Sequence, residues 1–493
     1  MKSPRFILAL QHASALDAWI KITAVCRERG VTTLSFLSVV LLSAIVSAPS
    51  RLAAQATRPN IVVIMTDDQR LDDLRVLTKT RRLIGDQGTT FRNFYCSFPL
   101  CAPSRATFLT GQYAHNHGVL GNQLPDGGYS KLNHNNTLAV WLQDAGYFTS
   151  HIGKYLNRYS RTTEFPPGWS HWQAIAGAPN RMYNYVINDN GRLKTYGESA
   201  EDYQTDVIAD RAVDIITEAL SSQPFFLSIA TAAVHHQGEG GVQPPRNPEP
   251  APRDMDAFLN EPLPKPPSFN ESDVSDKPSF IRKLPLLNAS DTQRITKVYQ
   301  DELASLLAVD DLVERIVSKL SAEGILDNTV LIFTSDNGFF HGEHRLGIRP
   351  AKLLAYEEAS QVPLLIRGPS FPQGVVRKQF VSNIDLAPTI VDLADASPGR
   401  AMDGRSLLPF AKNPRLATAR NLLIEAQSDT LPGVQNASTP LRRNFFELEV
   451  AQAEKYEYKA VRNRSFLYVE HSTGDRELYD MRPGTANYDP YQL

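Results

Sequence analysis

Four short apolar runs along the chain each end in polar or charged groups. Ile61–Met65 ends in Thr66-Asp67-Asp68, Tyr147–Ile152 in Gly153-Lys154 and Val330–Phe333 in Ser335-Asp336-Asn337, while Phe225–Ala230 leads toward His235. Runs apolar on both faces predict buried strands, hence parallel strands covered by helices on two sides. In such sheets the ligand crevice lies at the carboxyl ends of the strands, so the groups that follow the runs are expected to converge at one edge. The intervening segments have the complementary period. Asp291–Leu320 carries Ile295, Val298, Tyr299, Leu303, Leu306 and Val313 at spacings of three and four, and stops before Gly324. Tyr203–Leu220 and Thr137–Ala145 repeat the pattern over shorter spans, and all three predict amphipathic helices packed on a core. The expected fold class is α/β: a central, mostly parallel sheet flanked by helices.

Two regions depart from this rhythm. Gln237–Pro285 holds eleven of the 33 prolines and has no sustained period. A loop of that length is either a wall of a functional pocket or a mobile insertion. After Asp403-Gly404-Arg405-Ser406, the stretches Lys455–Val461, Arg464–Val469 and Glu477–Asp480, with a turn at Ser472–Asp475, read as short antiparallel strands. The expected division is a signal peptide and upstream segment over 1–56, a catalytic domain over 57–411 and a small antiparallel-sheet domain over 412–493.

Composition narrows the class. The chain has 493 residues, 42% hydrophobic and 21% charged, enough to bury a large core, and its net charge of −2 argues against nucleic acid as an obligate partner. Three cysteines with no C-x-x-C pair exclude a disulfide scaffold and structural zinc. Leu34–Val46 is an apolar run of signal-peptide length, preceded by Arg27 and Arg29 and followed by the small-residue site Ala54-Gln55-Ala56. Export is expected, with no stable membrane partner; the alternative is an uncleaved anchor, although the run is short for a span.

The candidate chemistry centres on Cys101-Ala102-Pro103-Ser104-Arg105, continuing to Leu109-Thr110-Gly111. Pro103 suits the first turn of a helix and Gly111 its stop, which places Cys101 at a positive helix end beside a fixed cation, a site for anions. A buried apolar thiol and a disulfide to Cys96 are the alternatives. Asp67, Asp68, Asp336 and Asn337 offer oxygen ligands from two strand ends, suited to a hard divalent cation, calcium before magnesium. Lys154 and His235 each follow a predicted buried strand, where an unpaired charge is costly without an anion or metal beside it. His115, His117, His341 and His344 read as loop residues, His344 being the best further candidate among them.

The Cys101 run resembles the sulfatase motif C-x-P-S-R followed by L-T-G, whose cysteine is oxidised after translation to formylglycine. The resemblance extends over nearly all of residues 58–493, through Gly342-Glu343-His344-Arg345-Leu346, Lys352, Tyr356-Glu357-Glu358 and Val362–Pro369. Gly153-Lys154-Tyr155-Leu156-Asn157, Pro166–Trp172, Tyr183-Asn184-Tyr185 and Val309–Glu314 are similar to the N-acetylglucosamine-6-sulfatase and heparan endosulfatase branch. The resemblance implies an alkaline-phosphatase-like fold and a formylglycine at residue 101. It further implies calcium held by Asp67, Asp68, Asp336, Asn337 and residue 101, and hydrolysis of a sulfate monoester on a carbohydrate. Arg105, Lys154 and Lys352 would hold the sulfate, His235 would move a proton, and Asn157 and His344 are carried as substrate-binding residues. A formylglycine-generating maturation enzyme is an implied partner.

Three departures stand out. Many sulfatases have a histidine shortly after the strand-end lysine, where this chain has Leu156 and Asn157, as its branch does. The common Pro-His-Ser-Pro is Val234-His235-His236-Gln237, which leaves open which histidine acts. Asp489–Leu493 resembles a segment that normally continues, so a last helix is expected to be missing. The competing readings are an aryl sulfatase, a phosphoester hydrolase of the same superfamily, and a non-catalytic glycan-binding relative.

Overall fold

A computed structural model describes residues 58–482 apart from 161, 163, 223, 238–246, 348–351, 417–419 and 429–454. The expected signal peptide and the expected missing last helix lie outside the described residues.

The first ten strands are β1 (Asn60–Thr66), β2 (Thr89–Tyr95), β3 (Phe148–Gly153), β4 (His171–Ile175), β5 (Val186–Asp189), β6 (Arg192–Thr195), β7 (Phe225–Ala230), β8 (Thr329–Ser335), β9 (Leu364–Arg367) and β10 (Val375–Ser382). They form one sheet in the order β10-β2-β9-β8-β1-β7-β3-β4-β5-β6. The four strands expected from the apolar runs are its centre, β8-β1-β7-β3, and pair in parallel throughout. Toward the edges the sheet turns antiparallel, at β9 on one side and at β5 and β6 on the other.

Alternation along β1 explains why its run is apolar at every position. Ile61, Val63 and Met65 share a core with Phe108, Leu142 and Ile390, whereas Val62 and Ile64 face Ile208, Leu306 and Val313. Each face therefore has its own helices: Cys101–Thr110, Leu138–Asp144 and Leu386–Ala394 on one, Gln204–Ala219 and Ala289–Ala322 on the other. The last of these starts where its chemistry dictates. Asn288 accepts from the Asp291 amide at 3.0 Å and Asp291 accepts from the Asn288 amide at 3.2 Å, a reciprocal cap.

Register brings the strand ends level. Thr66 lies opposite Ser335, Met65 opposite Ala230 and Gly153 opposite Ala230. The residues that follow, Asp67-Asp68, Asp336-Asn337 and Lys154, thus leave the sheet at one edge.

A second, four-stranded antiparallel sheet is built from β11 (Leu422–Ser428), β12 (Tyr456–Arg462), β13 (Phe466–His471) and β14 (Arg476–Asp480) in sequential order. Its inner residues Tyr456, Tyr458, Leu467 and Val469 share one apolar cluster with Tyr95, Phe340 and Tyr356 of the main body. The described part of the proline-rich stretch is a fastened strap: the Asn270 amide donates to the Gly342 carbonyl at 2.8 Å, and Arg253 pairs with Asp206 and Asp311. Among the described residues, no helix is long and apolar enough to cross a membrane.

Candidate active site

The helix Cys101–Thr110 begins at Cys101 itself, so Pro103 stands at its third position, inside the first turn where no intrahelical N–H bond is lost. Gly111 ends the helix at φ 67°, and a Cβ there would lie 2.9 Å from Met402. The expected free amides are partly taken, because the Ala102 amide donates to Asn122 Oδ1 at 2.9 Å. The other residues of the motif have direct work. The Ser104 hydroxyl donates to the Asp336 carbonyl and accepts from Asn383 Nδ2 at 3.0 Å, and Asn383 Oδ1 accepts from the Ser97 amide at 2.9 Å. Arg105 Nε donates to Asp336 Oδ2 at 2.8 Å and Nη1 to the Lys154 carbonyl at 2.8 Å.

Around Cys101 the strand-end residues meet. Its Sγ lies 3.4 Å from Asp67 Oδ1 and 3.0 Å from Lys352 Nζ. Lys352 also pairs with Asp68, and Lys154 pairs with Asp67 while donating to Asn180 Oδ1 at 3.0 Å. Asp68 turns back through φ 67°, its amide 3.2 Å from Asp336 Oδ1, and accepts from Asn337 Nδ2 at 2.7 Å. His235 Nε2 stands 3.6 Å from Asp68 Oδ2, with Nδ1 donating to the His236 carbonyl at 2.6 Å. That bond assigns the proton to Nδ1 and leaves Nε2 toward the cluster. His236 instead stacks on Phe339 at 5.1 Å.

Gly153 makes the lysine's approach possible. It holds φ 103°, and a Cβ there would sit 1.9 Å from the Ala230 carbonyl oxygen. Only glycine lets β3 run this close to β7 and then release Lys154 into the site.

Three carboxylates and three cations are thus packed with little exposed surface. Lys154 and Asp67 have no exposed side-chain surface, while Lys352 and His235 keep 12% and 19%. Burial raises the Asp67 pKa, but Lys154, His235, Arg105 and Lys352 outweigh it and hold the carboxyl well below its usual range. Asp336 moves the other way, to about 6, through burial and the charge of Asp67. Burial and Asp67 push the Cys101 thiol up to about 12. Residue 101 is therefore a protonated thiol at neutral pH, and the helix end alone does not make it a thiolate nucleophile. The disulfide alternative is absent: Cys96 and Cys101 are both free, and Cys96 Sγ points to the Ala359 carbonyl at 3.6 Å.

The residues fit a metal ion. Asp67, Asp68, Cys101 and His235 offer ligand atoms within 4.8 Å of one another. Asn337 Oδ1 is buried without a hydrogen-bond partner, an arrangement that costs stability unless something such as a cation binds it. Carboxylate and amide oxygens predominate in the set, which favours a hard cation.

The two expected substrate-binding residues are both buried. His344 is fully buried, with Nδ1 2.6 Å from Glu271 Oε1 and Nε2 3.5 Å from Glu358 Oε2, so it presents no surface to a substrate. Its role in this structure is to fasten the proline-rich strap. Asn157 is nearly buried with Oδ1 unpartnered. His341 likewise joins a buried network with Glu302 and Arg70. Sequence reasoning missed Asn180 and Asn122, single asparagines outside the strands and helices, and Asn383, which opens a short 3-10 helix directly after β10.

Comparison with known proteins agrees with this geometry. The family model Sulfatase matches residues 59–396. The N-acetylglucosamine-6-sulfatase of Homo sapiens is 36% identical, over 84% of this chain and 76% of the relative. The extracellular sulfatase SULF-1 homologue of Drosophila melanogaster is 33% identical, over 73% of this chain and 32% of its own length. Among solved structures, BT4656 in complex with its substrate D-glucosamine-2-N,6-O-disulfate superposes with a TM-score of 0.68 at 24% identity, covering 86% of this chain and 91% of that one. The fold is the alkaline-phosphatase-like one. The chain belongs to the sulfatase family, the sulfuric ester hydrolases.

Proposed function

We propose that the enzyme removes the 6-sulfate from N-acetylglucosamine residues of a sulfated carbohydrate, using residue 101 as formylglycine and calcium as the metal. The observation that carries this reading is the convergence of Asp67, Asp68, Lys352 and His235 on Cys101, in a chain whose human relative bears that activity in its name. A thiol held at about 12 is a poor nucleophile as it stands, so the unmodified side chain is ill suited to attack sulfur. Once oxidised, residue 101 would supply a hydrated aldehyde; one hydroxyl would attack sulfur as the bond from sulfur to the sugar oxygen breaks and the alcohol leaves, and deprotonation of the second hydroxyl would expel sulfate and restore the aldehyde. Asp67, Asp68, Asp336 and Asn337 would hold calcium, which when bound supplies a Lewis acid beside the sulfate.

The chain's own residues do the rest. Lys352 and Lys154 present ammonium groups at the mouth and floor of the site, and Arg105 fixes Asp336 while its Nη2 stands 3.7 Å from Asp67. In a dry site these fixed charges stabilise negative charge as it develops on sulfate oxygens. His235 Nε2, unprotonated and facing the cluster, is placed to move a proton at the leaving alcohol or at residue 101. Export, with removal of the segment before residue 57, fits the extracellular fly relative.

Hydrolysis of N-acetylglucosamine-6-sulfate, measured beside N-acetylgalactosamine-6-sulfate, an aryl sulfate and an aryl phosphate, tests the reading. The first should be turned over fastest, and Cys101→Ala should be inactive. Preference for the aryl phosphate, or undiminished turnover by Cys101→Ala, would refute it.

A further inference from the structure

Leu353, next to Lys352, holds φ 90°. A branched residue keeps that backbone only where its surroundings over-determine it. Both of its backbone groups are fastened. Its N–H donates to the Pro99 carbonyl at 3.1 Å, two residues before Cys101, and its carbonyl accepts from the Tyr458 hydroxyl at 2.6 Å. Tyr458 comes from β12 of the four-stranded sheet and is buried. Burial and the neighbouring Tyr456 and Cys96 push its hydroxyl pKa well up, so it remains a donor. The same sheet grips the chain just beyond, where Tyr356 donates to Glu477 Oε2 at 2.7 Å and Arg462 Nε to Glu357 Oε1 at 2.6 Å.

Lys352 itself is the point of this bracing. Its Nζ reaches both Asp68 and Cys101 Sγ at the end of a flexible four-carbon stem. The ammonium is held at its tip by Asp68 and Cys101, and the base of its stem is held by the fastened backbone of residue 353. We propose that Tyr458 is a positioning residue for the reaction: through the Leu353 carbonyl, its hydroxyl holds Lys352 against residue 101. The C-terminal sheet is thereby part of the catalytic apparatus, although it contributes no group to the cluster itself. The inference rests on the role given to Lys352 above.

A double-mutant cycle tests it. Tyr458→Phe, Lys352→Ala and the double variant, each with residue 101 matured, are assayed on 4-nitrophenyl sulfate alongside their melting temperatures. Lys352→Ala should lower kcat about 100-fold, and Tyr458→Phe alone about 10-fold with KM within about two-fold. Added to Lys352→Ala, Tyr458→Phe should lower kcat by less than about two-fold more, because its effect is already spent. An equal loss in both backgrounds, or an unchanged kcat in Tyr458→Phe, overturns the inference and leaves the role of Lys352 standing. An unchanged kcat in Lys352→Ala overturns that role and the inference with it. A loss explained by a fall in melting temperature alone would persist in the Lys352→Ala background, and so counts against the proposal.

Discussion

Asp67 has no exposed surface, yet the charges around it, Lys154 foremost with Arg105 and Lys352, hold it ionised. Its neighbour across the site, Asp336, is raised to about 6 by burial and by the charge of Asp67, with Arg105 as its main counter-charge. Groups this close behave as a unit, so removing one member strands the others. Arg105→Ala should leave Asp336 as an uncompensated buried carboxylate and destabilise the protein by about 3–5 kcal/mol, read in denaturant unfolding. An effect below about 1 kcal/mol would show that the pair is not load-sharing. His235→Ala should instead fold normally and lose about 10²–10⁴ in kcat, while His236→Ala should stay within a few-fold of wild type. At this scale the sequence was legible where chemistry followed a strand. Cys101, Asp67, Asp68, Asp336, Asn337 and Lys154 all stand directly at strand or helix ends, which is why spacing located them. The carboxylate partners of His344 were not legible, because a histidine in a loop carries no mark of which carboxylates will surround it.

The proline-rich strap and the loop after β8 are tied together through His344. Burial pulls the ring's pKa down, but Glu358 and Glu271 raise it further, to about 9 from an ordinary 6.5. A group whose folded pKa is raised stabilises fully below its unfolded value and loses that contribution as pH climbs through the folded one. His344 should therefore contribute about 1–3 kcal/mol at pH 6, declining between about pH 6.5 and 9. Replacing it by glutamine should flatten the fall in melting temperature over that window; an unchanged slope would contradict the pairing. Gly153→Ala probes a second element, the end of β3. With its Cβ placed 1.9 Å from the Ala230 oxygen, the variant should lose at least about 2 kcal/mol of stability together with activity. The central strands were legible because both faces are buried, so that β1 and β8 carry continuous apolar runs and β7 is interrupted only by Ser228. β2 and β10 were not, because exposed and buried residues alternate irregularly along them, and β10 carries a register shift between Arg377 and Phe380.

At the scale of the whole molecule, the level ends of β1, β3, β7 and β8 gather groups from residues 67 to 337, and the C-terminal sheet braces Lys352 from behind. A metal that binds the folded cluster and not the unfolded chain must stabilise the fold. Calcium at a hundred times its Kd should add about 2.7 kcal/mol, with magnesium adding less, and a chelator should reverse the gain. A melting temperature indifferent to calcium would argue against the oxygen-ligand assignment. The division into a large sheet and a small antiparallel one was foreseeable from the change of period after residue 406. The bracing was not, because it depends on single side-chain hydroxyls and guanidinium groups crossing between the sheets. The account as a whole turns on the state of residue 101. Mass spectrometry of the tryptic peptide Asn93–Arg105 from active enzyme measures it directly: an aldehyde at residue 101, with Cys96 still a thiol, is the predicted result, and an unmodified thiol at residue 101 in fully active protein would contradict it.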